Sequence, residues 1–299
     1  MYRLPFRRMP SGKRARQQRQ QAAAAAVRTP PPVRSKGGGG VRARQASPRA
    51  LAIAGVVVLA IVVAIVLGVV LSGGGGGGGG GGIVTSADLQ GLPATGSQSS
   101  ASALPGAAEA NNLFKGIPQN DQVVGDPKAP IQMLMFIDVQ CPVCRNYEVA
   151  YLPTIVQKYI RTGKVQLQLK PWAFLGAQST TGRLGVIAAA KQNKGFEYAK
   201  VLYDNQGPEE SGWLTGKEMA AIAASVNGLN LSQWRDDVNS AASQSVANDV
   251  DKLATKMKVQ GTPTVFVGCQ DGKLQDVTTP GAAPTLQDTE QAINAAACS

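Results

Sequence analysis

The 299-residue chain has no histidine. That absence excludes every mechanism built on an imidazole base, including Ser-His and Cys-His catalysis, and removes the commonest nitrogen ligand for metals. Cysteine is scarce as well: Cys141, Cys144, Cys269 and Cys298 are the full set, and none lies in the first 140 residues. Acidic residues are missing from positions 1–50, which carry 13 Lys and Arg. Charge of either sign is missing from positions 51–71. The formal net charge of +11 therefore belongs to the N-terminal tail, since the remainder holds 17 basic against all 19 acidic residues. A basic chain would otherwise suggest nucleic-acid binding. Here the basic run flanks an apolar one, and no nucleic-acid partner is expected.

That apolar run, Leu51 to Leu71, spans 21 residues, or about 31 Å as a helix, enough to cross a bilayer core. It exceeds the length of a cleavable signal's apolar region and ends in a glycine tract rather than a cleavage site. The reading is an uncleaved transmembrane helix with the basic side, residues 1–50, in the cytoplasm as a disordered tail. Everything after Ser72 is then extracytoplasmic, where disulfides persist. Residues 72–110 read as a flexible linker: ten consecutive glycines from Gly73 to Gly82 lead into a Ser/Ala/Gly/Pro-rich stretch. About 40 such residues would reach roughly 35 Å. Within it Leu92-Pro93-Ala94-Thr95-Gly96 matches the sorting pattern of wall-anchored proteins. Its apolar span and basic tail lie on the wrong side, so the match is set aside.

Residues 111–299 read as one α/β domain. Ile131–Ile137 is a strand pattern. A helix follows with Val149, Leu152, Val156 and Tyr159 on one side, kinked at Pro153 and stopped at Gly163. Val165–Leu169 alternates as a half-buried strand. From about 179 to 259 the pattern is helical, with helices predicted at Thr180–Asn193, Phe196–Asn205, Lys217–Val226 and Ser232–Met257, the last capped by Ser232. Strand patterns return at Thr264–Gly268 and Lys273–Thr278 around Asp271-Gly272, and a helix over Thr285–Ala297 closes the chain.

The chemistry centres on Cys141-Pro142-Val143-Cys144 at a strand-to-helix junction, with Gly261-Thr262-Pro263-Thr264 opening a strand about 120 residues later. A cysteine at a helix start faces free backbone N–H groups and the positive end of the dipole, both of which favour thiolate. Pro142 suits the first helical position. Cys141 is then the exposed, attacked sulfur and Cys144 the shielded, resolving one. A zinc site would need a second close cysteine pair, which Cys269 and Cys298 do not form, so no metal and no cofactor are expected. A purely structural role for so short a loop adds little stability. Thr262-Pro263 reads either as a simple edge marker or as a cis bond exposing backbone to an incoming peptide.

These motifs, with Phe136 to Cys144, Leu202-Tyr203-Asp204-Asn205-Gln206 and the helical insert, resemble the thioredoxin superfamily, in particular its DsbA-like, membrane-anchored bacterial branch. The resemblance covers about 113–299. It implies a thioredoxin-like fold with a helical insert, Cys141 as nucleophile, Cys144 as resolving thiol and Pro263 as the cis-proline, supported by Pro142, Val143 and Thr262. The implied activity is oxidation of thiols in exported proteins, with a quinone-linked membrane partner restoring the disulfide. A reductase or isomerase, and a non-catalytic tethered binding module on the same shell, are the competing readings. Two positions depart from the family. Val143 stands where strong oxidants often carry His, which lowers the expected oxidising power, and Met135 stands where thioredoxins bury an acid. Asp138, the nearest carboxylate, either shuttles a proton or caps the turn. Cys269 and Cys298 read as a structural disulfide pinning the last helix, with a second redox relay as the alternative.

Overall fold

The computed structural model describes residues 82–277 and 282–298. The basic tail, the apolar run 51–71 and positions 72–81 lie outside them. Among the described residues no helix is long and apolar enough to cross a membrane.

A six-stranded mixed sheet forms the centre, in the order β1-β2-β4-β3-β5-β6. Its strands are β1 (Gln119–Asn120), β2 (Val123–Val124), β3 (Ile131–Ile137), β4 (Val165–Pro171), β5 (Thr264–Cys269) and β6 (Gln275–Asp276). β3 and β4 run parallel, with Met135 opposite Leu169, while β5 lies antiparallel on the other side of β3, with Met135 opposite Val265. β3 has almost no polar residues because both its faces are covered. Ile131, Met133, Met135 and Ile137 enter one apolar layer. Leu134 and Phe136 enter a second, with Val250, Ala254 and Phe266. The crossover from β3 to β4 is helix α2 (142–160), which supplies Leu152, Ile155 and Val156 to the first layer.

The helix after β3 is not regular. Two π-helical turns, Tyr147–Tyr151 and Val156–Ile160, alternate with α-helical segments Pro142–Asn146 and Leu152–Ile155. A π turn takes one residue more than an α turn, so the apolar stripe slips. Val149, expected on the buried side, is exposed, while Tyr147 and Glu148 turn inward; Leu152, Val156 and Tyr159 are buried as their spacing predicts. Pro153 sits in the first turn of the second α segment, directly behind a π turn. Gly163 ends the helix at φ 74°.

The insert between β4 and β5 holds five helices: α3 (Ala177–Ala190), α4 (Gly195–Asp204), α5 (Gly216–Ala224), α6 (Leu231–Val238) and α7 (Ala241–Lys256). The single helix expected over 232–257 is two. Asn230, not Ser232, caps α6 by accepting from the Gln233 N–H, and Ser240 caps α7 by accepting from Ser243. The last helix, α8 (Leu286–Ala295), starts in a capping box formed by Thr285 and Asp288. Cys269, at the end of β5, is joined to Cys298 just beyond α8 by a disulfide.

The largest departure from the sequence reading is the linker. Positions 83–106 are not free chain but a strap laid over the insert, followed by helix α1 (Ala107–Phe114). Val84 is buried and exchanges hydrogen bonds with the Asn239 side chain. The sorting-like segment lies inside this strap. The Gly96 N–H donates to the Leu229 carbonyl at 2.8 Å, and a Cβ there would collide with the carbonyls of Val226 and Ala223. Small residues that read as low complexity are the ones that let the strap approach backbone this closely. A chain beginning at residue 111 therefore loses Val84, Ala107 and Ala110 from the core. Urea unfolding should find it about 3 kcal/mol or more less stable than residues 82–299; equal midpoints would show that the strap adds nothing.

Candidate redox site

β3 ends at Ile137, and the four residues Asp138 to Cys141 carry the chain into α2. The turn is built around the Asp138 carboxylate, which is fully buried. Its Oδ1 accepts from the Gln140 N–H at 2.8 Å and the Ser179 hydroxyl at 2.6 Å; its Oδ2 accepts from the N–H groups of Phe174 and Leu175 at 2.6 and 2.8 Å. Four donors occupy the carboxylate, which leaves it no lone pair for a relay. Of its two expected roles, Asp138 performs the structural one: it ties the end of β3 to the β4–α3 loop and the start of α3.

Cys141 is the N-cap of α2. Its Sγ lies 3.4 Å from the Cys144 N–H and 3.3 Å from the Thr262 carbonyl, to which the thiol donates. Thr262-Pro263 is a cis peptide bond. Cys141, expected to be exposed, is buried at 6% exposure with its sulfur set against the Thr262 carbonyl, Cys144 is 0% exposed, and both are free thiols. The Cys141 pKa is lowered to about 6. The main cause is the Cys144 thiol donating to it; the Cys144 N–H, the Thr262 side chain and the Val143 N–H add to this, against burial. The Thr262 hydroxyl has no other partner among the described residues, so it is free to donate to a thiolate. Burial pushes Cys144 the opposite way, well above the ordinary thiol range, with Cys141 as the second cause. The environment thus makes one sulfur a ready thiolate and keeps the other protonated.

The rim is apolar. Val143 and Phe174 are 44% and 47% exposed, and the Phe174 ring leans on Trp172 with centroids 5.2 Å apart. Pro142 is exposed beside them. Phe174 reaches this place because Asp138 holds its backbone. Motif spacing gave no signal for it, nor for Gln140, whose buried side chain donates to Leu175 and Ser179 and accepts from the Glu210 N–H.

Sequence reasoning also missed a buried acid. Position 135 is Met, but Glu148, one turn beyond Cys144, is 2% exposed. Its Oε1 has no hydrogen-bond partner among the described residues. Burial raises its pKa to about 8, with Lys200 pulling down and Asp204 pushing up. Lys200, itself fully buried, is held by Asp204 at 2.6 Å. The inward turn of Glu148 comes from the π turn, which regular helical spacing does not anticipate.

Comparison with known proteins agrees with the fold. Residues 118–279 match the thioredoxin family. A probable disulfide bond formation protein D of Bacillus cereus is 33% identical over 150 residues, 49% of this chain and 69% of that protein. The disulfide bond formation protein D of Bacillus subtilis is 23% identical over 163 residues, 53% of this chain and 73% of that protein. Among solved structures, oxidised BdbD from Bacillus subtilis superposes with a TM-score of 0.51 at 21% identity, covering 58% of this chain and 91% of that one. DsbA from Chlamydia trachomatis superposes with a TM-score of 0.50 at 21% identity, covering 58% and 89%. At these identities the structures speak for the fold.

Two measurements check these shifts. Alkylation of the reduced protein by iodoacetamide should modify Cys141 with a midpoint near pH 6, leaving Cys144 untouched; equal labelling of both would contradict the asymmetry. Glu148 holds its proton more tightly folded than unfolded, so its contribution to stability is complete below about pH 4.5 and is lost as pH rises through about 8. Glu148→Gln cannot ionise, and the denaturation midpoint of that variant should fall less than wild type between those limits.

Proposed function

The chain belongs to the thioredoxin family and is a DsbA-like thiol–disulfide oxidoreductase, and we propose that it works as an oxidase of exported proteins through the Cys141–Cys144 pair. The observation that carries the direction is the Cys141 sulfur at the N-terminus of α2, with its pKa near 6. A thiolate stabilised in the reduced enzyme makes the dithiol the favoured product and Cys141 a good leaving group.

The reaction begins with the disulfide between Cys141 and Cys144. A substrate thiolate attacks Cys141 Sγ, forming a mixed disulfide, and the Cys141–Cys144 bond breaks. Cys144 departs into a site that favours its protonated form, so it takes up a proton and is a poor nucleophile for the return step. A second thiolate of the substrate then attacks the substrate sulfur of the mixed disulfide. Cys141 leaves as a thiolate held by the helix N-terminus. Two electrons have passed from the substrate dithiol to the enzyme. Thr262 and Pro263 flank the attacked sulfur, and the apolar rim of Val143, Phe174 and Trp172 suits an unfolded segment of polypeptide around the substrate cysteine.

The remaining parts of the proposal rest on the sequence. The run 51–71 anchors the chain in a cell membrane, the basic residues 1–50 stay in the cytoplasm, and the catalytic domain works outside. A quinone-linked membrane partner returns the pair to the disulfide, as the family resemblance implies. The Cys269–Cys298 disulfide closes a loop far from the rim and serves stability.

The reduction potential of the pair in residues 82–299, titrated against glutathione, tests the direction. A value near about −120 to −180 mV supports the oxidase, whereas one near about −270 mV identifies a reductase fed by an electron donor. Cys144→Ser should accumulate mixed disulfides with exported proteins and Cys141→Ser should not. A phenotype that survives Cys141→Ser would instead identify a binding module.

A further inference from the structure

We propose that Gln206, with Tyr203, is a positioning residue for the redox sulfur: the helical insert, rather than the sheet, fixes the backbone that carries Cys141. The inference rests on Cys141 being the reactive thiol.

After Ile137 the chain leaves the sheet, and its carbonyls lose their strand partners. Each residue of the turn is met instead by the insert. The Tyr203 hydroxyl donates to the Asp138 carbonyl at 2.8 Å. The Gln206 Nε2 donates to two carbonyls at once, Val139 at 3.0 Å and Cys141 at 3.2 Å. The Glu210 N–H donates to the Gln140 side chain at 3.0 Å. From the other direction, Arg145 in α2 donates through Nε to the Tyr203 carbonyl at 2.9 Å. Asp138, Val139 and Cys141 are all buried, so water offers these carbonyls no ready substitute.

Gln206 can do this because its own place is over-determined. Asn205, immediately before it, donates from its side chain to the Pro105 carbonyl of the N-terminal strap. Gly207, immediately after it, lies so close under the Trp213 side chain that a Cβ would not fit. The amide therefore bridges Val139 and Cys141 from a fixed point and sets the spacing between their carbonyls.

The consequence lies at the sulfur. The Cys141 carbonyl also accepts the first helical hydrogen bond, from the Arg145 N–H at 3.0 Å. Fixing that carbonyl fixes the direction in which Cys141 caps the helix, and with it the approach of Sγ to the Cys144 N–H and to Thr262. Gln206 also places an N–H dipole on a carbonyl of the residue that bears the developing thiolate. Removing the amide relaxes the cap and strips a donor from the same peptide, and both changes disfavour thiolate.

The test compares wild type, Gln206→Leu and Tyr203→Phe in the full chain by three measurements: the pH midpoint of Cys141 alkylation, the equilibrium constant against glutathione, and the thermal midpoint. A rise of about one unit in the alkylation midpoint makes labelling at pH 6 about fivefold slower in Gln206→Leu. It also moves the glutathione equilibrium about fivefold away from the dithiol at pH 7. Tyr203→Phe keeps its ring in the core and shifts both in the same direction by less, so the proposal stays testable if Gln206→Leu does not fold. A lowered thermal midpoint in both variants, with alkylation midpoint and glutathione constant within twofold of wild type, overturns the proposal: the insert is then only scaffolding. Wild type that does not exchange with glutathione at all defeats the oxidase reading instead, while the alkylation midpoints still decide the role of Gln206.

Discussion

Everything at this site hangs on the buried carboxylate of Asp138. It stands where the central strand runs out, and a carboxylate so placed must be fully hydrogen-bonded or it destabilises the fold. Its four donors come from three separate pieces of chain: the turn itself at Gln140, the β4–α3 loop at Phe174 and Leu175, and α3 at Ser179. One side chain thereby fixes where α2 begins, where the apolar rim stands and how the insert joins the sheet. The Asp138 backbone adds to this, since its carbonyl accepts from both the Cys141 N–H and the Tyr203 hydroxyl.

Around that anchor the two sulfurs are separated by electrostatics more than by distance. They lie one helical turn apart at the start of α2, yet one caps the helix N-terminus just under the rim while the other is sealed in the core. Burial penalises charge on Cys144, and the donors aimed at Cys141 favour charge there. The same logic reaches Glu148, a further turn along, where burial without a full set of partners holds a carboxyl in its neutral form near neutral pH. Lys200 and Asp204, which neutralise each other beneath it, keep net charge out of this part of the interior.

The N-terminal strap and the insert form a continuous support behind the turn. Asn239 holds Val84, the backbone of Leu229 and Ala224 holds the segment around Gly96, and Asn205 holds Pro105. The strap thus reaches α4 one residue before Gln206. A stretch that composition marks as a tether is, over its described part, a component of the catalytic domain.

The sequence alone determined where the candidate chemistry lies: a Cys-Pro-Val-Cys pair at a strand-to-helix junction, no histidine to supply an imidazole base, and an apolar strand able to sit at the middle of a sheet. Those features are local, because helix starts, strand runs and motif spacing depend on neighbouring residues. Even the capping box at Thr285 and Asp288 was within reach of local rules. What only the tertiary structure decided depends on distant partners. Asp138 could relay a proton or tie a turn until Phe174, Leu175 and Ser179 were brought to it. Glu148 and Val149 exchanged places because π turns reset the helical phase, which periodicity assumes to be constant. Residues 83–106 carry too little apolar surface to predict their own order, and they are ordered because the insert presents backbone groups for theirs to pair with. Gln206, a polar residue just past a helix end, took on meaning only when the fold set it against the carbonyl of Cys141.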